Sequence, residues 1–238
     1  MSHKNIFVRQ FLFASALGSC LLLTSCGGSN HSNNADNRTF EISVSNLTAG
    51  QPLSPIAVIL HQSGYQAWTD GQPASVALEN LAEGGSNTDL LTEAHNNSAV
   101  LTSGSGIAAI GPGDAENLEL TADAFNGVNL SVITMLVNTN DAYTGINASD
   151  LSQLAIGESV IFNTPVWDSG TEDNTEAAGT IPGPADGGTG FDATRSTDDR
   201  IHFHPGVISN QDGLSGSILT AAHRFDNPAA KITVTRTQ

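Results

Sequence analysis

The sequence predicts an all-β protein, an antiparallel β-sandwich carrying a short helical insertion. Short strand-like runs recur from Thr39 to Val234, separated by turns rich in Gly, Asn, Asp and Pro. The first of them places Phe40, Ile42 and Val44 between Glu41, Ser43 and Ser45, the two-residue period of a half-buried strand. Helical spacing is confined to one segment, Pro73 to Asn97, so no helix recurs between strands as a parallel sheet would require.

The chain divides before that first strand. Lys4 and Arg9 precede an apolar stretch, Phe11 to Leu23, too short and too early to be read as a membrane span. Leu23-Thr24-Ser25-Cys26 resembles the bacterial lipoprotein processing box, which implies a signal peptide over residues 1–25 and lipidation of Cys26. Cys20 leaves with such a leader, so Cys26 is the sole cysteine of the mature chain and no internal disulfide is possible. Gly27 to Asn37 holds only Gly, Ser, Asn, His, Asp and Ala and reads as a flexible tether, making residues 26–38 the anchor and its linker. Residues 39–238 are left for one domain, long enough for a real core.

Within that domain, Ile56 to Leu60 is a continuous apolar run that fits a buried strand. Val76, Leu78, Leu81 and Ala82, then Leu90, Leu91 and Ala94, predict two short helices joined across Gly84 to Thr88, covering one edge or end of the sheet. Strand signals resume at Glu116 to Ala122, Leu130 to Val137, Ser159 to Phe162, Ile201 to Phe203, Ile218 to Leu219 and Ala230 to Val234. Thr175 to Arg200, rich in Gly, Thr, Asp and Pro, predicts a long loop of the kind that carries function or stays partly disordered.

Charge narrows the partners. The chain carries twenty-four acidic and eight basic residues, a formal charge of −16. Losing Lys4 and Arg9 takes it to −18. Such a surface excludes nucleic acid, whose binding depends on neutralising phosphates, and favours cations. Two acidic turns end apolar runs. Asn138-Thr139-Asn140-Asp141 follows Leu130 to Val137, and Val166 to Asn174 places Asp168, Glu172 and Asp173 together after Ser159 to Phe162. Carboxylates dense in a turn suit Ca²⁺, which takes six to eight oxygens from acidic and carbonyl ligands. His202 and His204 share one face of a strand, and His61 is a candidate third imidazole for a transition metal. Catalytic patterns are absent: there is no Gly-x-Ser-x-Gly elbow, no His-Glu-x-x-His and no phosphate-cradling glycine loop. Asp123, Asp198 and Asp199 are loop acids that nothing in the sequence orients.

Several segments together resemble the spondin N-terminal domain family, the module of F-spondin and mindin. They are Thr39-Phe-Glu-Ile-Ser-Val-Ser-Asn-Leu47, Asn140-Asp-Ala-Tyr-Thr-Gly145 with Asp150-Leu151, Val166-Trp-Asp-Ser-Gly-Thr171, Ile201-His-Phe-His-Pro-Gly206, and Asn227 to Arg236. The Trp-Asp-Ser-Gly-Thr stretch is the most specific. The resemblance implies an antiparallel β-sandwich with one calcium near loops at one end. It implies ligands at Asp141, Asp168 and, for the third, Glu172 or Asp173, since the family pattern has Asp where this chain has Glu172. The expectation is a non-enzymatic calcium-binding recognition or adhesion module. It would be held to a bacterial cell envelope by lipid on Cys26 and would bind an extracellular protein or glycan. The alternatives are a metal-dependent hydrolase or metalloenzyme using His61, His202 and His204, and a structural envelope protein in which calcium only stabilises the fold.

Overall fold

A computed structural model describes residues 36–238. The expected leader, Cys26 and most of the tether lie outside the described residues. Among the described residues, ten strands form two antiparallel sheets. The four-stranded sheet has the order β4 (Ala115–Asp123), β1 (Asn37–Asn46), β10 (Ala230–Arg236), β7 (Ser159–Thr164). The six-stranded sheet has the order β3 (Val100–Ser105), β2 (Ala57–His61), β5 (Asn129–Met135), β6 (Ala142–Asp150), β8 (Val166–Asp168), β9 (His202–Phe203). The all-β sandwich read from the sequence is the fold found.

The alternation in β1 becomes packing. Phe40, Ile42 and Val44 point between the sheets, where they meet Val58 and Leu60 of β2, Leu130 and Val132 of β5, and Ile232 and Val234 of β10. Glu41, Ser43 and Ser45 form the outer face. Truncating Phe40, which is fully buried, removes ring contacts that neighbours on two sheets cannot replace. Phe40→Ala is expected to cost about 3–5 kcal/mol of unfolding free energy, measurable by denaturant titration.

The outer face of the six-stranded sheet carries a second core. Ala57, Ile59, Ile133, Met135 and Tyr143 point away from the sandwich and are buried under Leu78, Leu81, Ala82, Leu90 and Ala94. These come from helix α1 (Val76–Gly84) and helix α2 (Thr88–His95). Ser75 caps α1 by accepting the Leu78 N–H at 3.2 Å, and Gly85, at φ 69°, ends it with an N–H to the Leu81 carbonyl. Burial on both faces explains why β2 reads as an unbroken apolar run. It also corrects the expected placement of the helices: they cover the outer face over β2, β3, β5 and β6 rather than an edge or end of the sheet.

Two further expectations change. Ile218 and Leu219 form no strand; Leu219 is a peg, with Ile181 and Val207, in a small satellite core under the long loop, and Ile218 packs against it. Three strands carry no strand signal in the sequence, among them β8, Val166–Asp168, which opens the segment expected to be a turn. β3, Val-Leu-Thr-Ser-Gly-Ser, lacks alternation, and the first half of β6, Ala-Tyr-Thr-Gly-Ile, is buried with small and polar residues rather than branched apolar ones.

Candidate functional site

Antiparallel pairing assembles one corner of the six-stranded sheet. Ala142 of β6 lies opposite Asp168 of β8, and Asp168 opposite His202 of β9. The turn before β6 is closed by the Thr139 hydroxyl, which donates to the Leu136 carbonyl and accepts the Ala142 N–H. That turn delivers Asp141, fully buried, beside Asp168, exposed by 1%.

Asp141 is held by the segment that follows β8. Its Oδ2 accepts the Ser169 hydroxyl at 2.9 Å, the Thr171 N–H at 2.8 Å and the Glu172 N–H at 3.0 Å. Its Oδ1 is buried and has no partner. Asp168 Oδ1 accepts the Gly170 N–H at 2.9 Å and its Oδ2 accepts Asn174 Nδ2 at 2.6 Å. Gly170 is required here: its φ is +71° and a Cβ would collide with the Arg200 carbonyl oxygen.

Burial, and next the charge of Asp168, push the Asp141 carboxyl up to about 7. Burial likewise lifts Glu172 to about 7, helped by the charges of Glu83, Asp141 and Asp192 and opposed by a hydrogen bond from Asn140. Glu83, on α1, is buried with Oε1 unpartnered and Oε2 on the Asp192 N–H, and its carboxyl is raised mainly by burial. No signal in the sequence marks this helical glutamate as facing the acidic corner.

The two candidates for a third acidic ligand separate. Glu172 Oε2 accepts from Asn140 and lines an open cleft of about 280 Å³ together with Asn140, Asp173, Thr180 and Arg195. Asp173 is exposed and its Oδ1 accepts the Ser196 hydroxyl. The structure thus brings Asp141 and Asp168 together, sets Glu172 beside them through its backbone, and turns Asp173 outward.

The histidines also separate. His61 bonds Ser131 Oγ at 3.0 Å and the Gln62 carbonyl at 2.8 Å, and three strands lie between β2 and β9 in the sheet. His204 is buried, and burial holds it down at about 4, so it is neutral. Its Nδ1 accepts the Gly206 N–H and its Nε2 therefore donates to Asn174 Oδ1, at 3.1 Å. Both ring nitrogens are used, and His204 positions Asp168 through Asn174. His202 Nδ1 is unpartnered, 3.7 Å from Asp168 Oδ1. Of the loop acids, Asp198 pairs with Arg200, and Asp199 with Arg195, which also grips buried Glu79.

Among the described residues, no group of three or more His, Cys, Asp and Glu side chains is arranged to hold a metal ion. A calcium ion does not need three such side chains, because hydroxyls, carbonyls and water complete its shell. The test is then the state of the oxygens present. A fully buried, unpartnered carboxylate oxygen on Asp141, next to a second buried carboxylate, is a costly arrangement unless a positive charge meets it. A proton, which the raised Asp141 carboxyl readily holds, or a cation would relieve that cost.

A pH dependence follows from the same geometry. With Asp141 and Glu172 raised above their unfolded values, the native chain binds more protons than the unfolded one between about pH 4 and 7, so stability falls as pH rises through that window. His204, depressed, acts in the opposite sense below about pH 6.5. The metal-free protein is therefore expected to lose melting temperature most steeply between about pH 5.5 and 7, with little further loss above about pH 7.5, and calcium to flatten that fall, as read by thermal scans in chelator and in calcium.

The sequence profile of the Spondin_N family matches residues 45–181, a range that contains β2 to β8 and both acidic turns. No curated protein shows significant similarity to the chain.

Proposed function

Because the chain belongs to the Spondin_N family, we propose that it is an extracellular recognition module whose presenting loops are fixed by calcium on Asp141 and Asp168. The observation that carries this reading is the unpartnered, fully buried Oδ1 of Asp141 beside Asp168. Bound calcium would supply positive charge that two adjacent buried carboxylates lack. The chain's own groups do the rest. Ser169, Thr171 and Glu172 hold Asp141 Oδ2, Gly170 and Asn174 hold Asp168, and Asn140 ties the first acidic turn to Glu172 and Thr180. Orienting both carboxylates therefore also orders Asn140 to Gly145 and Trp167 to Asp173, the loops that would meet a partner.

The module would be displayed on a bacterial cell envelope by lipid on Cys26, through the processing box Leu23 to Cys26. It works by binding rather than by catalysis, to an extracellular protein or glycan. The test is thermal unfolding in chelator, then in calcium raised to about 10–100 mM, then in magnesium. Saturation to a hundred times Kd is expected to add about 2.7 kcal/mol, several degrees, with calcium alone. An unchanged midpoint in calcium would sink the proposal.

A further inference from the structure

The face of the six-stranded sheet opposite Asp168 carries a row of rings. Tyr143, Trp167 and Phe203 are direct cross-strand neighbours on β6, β8 and β9. Phe203 stacks on Trp167 with centroids 4.3 Å apart and planes 21° from parallel, and Trp68 fills the angle between Trp167 and Tyr143 at 5.9 and 5.3 Å. The row runs from a fully buried ring, Tyr143, to Phe203, which is 61% exposed at the open edge of the sheet. Phe125 is more exposed, at 75%, yet stacks on no other ring among the described residues. Phe203 is therefore an aromatic surface fixed from beneath. The loop carrying Trp68 is locked beside it by paired backbone hydrogen bonds, Gly71 N–H to the Ile201 carbonyl and Ile201 N–H to the Gln72 carbonyl.

We propose that the Phe203–Trp167 stack is a binding platform for a neutral glycan. The proposal rests on the recognition reading but needs no calcium at the platform. The patch is one or two rings wide, far short of the roughly 800 Å² per partner that a stable protein interface buries. β9 is two residues long, so an added strand would find almost no ladder to join. A polar side chain lies beside the row: exposed Asp70, which accepts from Trp68 Nε1. A flat apolar face with a carboxylate beside it matches a pyranose ring, which presents C–H bonds on its face and hydroxyls at its rim. The formal charge of −16 disfavours sulfated and uronic-acid polymers, leaving neutral sugars. Because the rings are already stacked, binding orders no loose side chain.

The test uses the whole protein with cellohexaose, chitohexaose and mannohexaose as probes, followed by tryptophan fluorescence, since Trp167 lies under the contact ring. At least one probe is expected to bind at millimolar concentration. Phe203→Ala is expected to weaken it about tenfold and Phe203→Tyr to keep it. Calcium titration of the Phe203→Ala protein checks the fold and the acidic corner separately, and its calcium response is expected to be unchanged. No response to any probe, or equal binding by the Phe203→Ala protein, overturns the platform. Phe203-dependent binding of a lysine-rich peptide in place of sugar overturns the glycan assignment as well.

Discussion

Asp141→Asn is expected to abolish the calcium-induced rise in melting temperature while leaving the midpoint in chelator equal or higher. The amide oxygen takes the place of Oδ2 and keeps the donors from Ser169, Thr171 and Glu172. The amide nitrogen takes the place of Oδ1, which has no donor to lose, and presents hydrogens where a cation would sit. The buried charge next to Asp168 is gone, which removes the repulsion that raises the Asp141 carboxyl. Asp141→Ala is the informative contrast. It strands those donors inside the protein, each at about 1–3 kcal/mol, and is expected to lower the midpoint in chelator as well. Thermal scans of the two variants, with and without calcium, separate loss of the ion from loss of the loop.

Gly170→Ala is expected to destabilise the protein by about 3 kcal/mol or more and to weaken calcium binding with it. Two costs combine. Alanine is strained at φ +71°, and its Cβ would run into the backbone of Arg200, in the chain segment that leads into β9. Relief requires moving Ser169 to Glu172, and those residues supply the donors that hold Asp141. Denaturant titration reads the first effect and calcium titration of the surviving folded protein reads the second. A variant as stable as the parent would mean that the loop adapts freely, contrary to the packed corner described here.

What could be read from the sequence tracks where one physical signal acted alone. β1 shows its period because one face meets the core and the other meets water, and β2 and β5 show theirs as apolar runs because cores lie on both sides. The two helices were legible from their apolar spacing, whereas Ser75 as the cap of the first is known from its bond to Leu78. β6 was hidden because its buried half is Ala, Tyr, Thr and Gly, chosen for close approach rather than for hydrophobic bulk. At Gly145 any Cβ would meet the Val132 carbonyl oxygen. The strand-like pair Ile218–Leu219 misled because a peg for a small core and a strand need the same residue types.

The site divides in the same way. Asp141 and Asp168 were visible as acids in turns at strand ends, and strand pairing accounts for their meeting. The roles of Asn140, Asn174 and Glu83 were not, because a buried polar residue is recognised by its partners, and those lie far along the chain. The three-histidine arrangement failed on strand order: β5, β6 and β8 lie between His61 and the pair on β9 and just beyond it. The aromatic row depends on register across β6, β8 and β9, which no local pattern reveals.

The most direct measurement is radiocalcium equilibrium dialysis of the parent protein beside Asp141→Asn. A single saturable site per chain in the parent, in the range of about 10⁻⁴ to 10⁻³ M typical of extracellular modules, and none in the variant, is the result expected. Equal binding by the two proteins, or no saturable binding by the parent, would contradict a calcium ion held by Asp141 and Asp168.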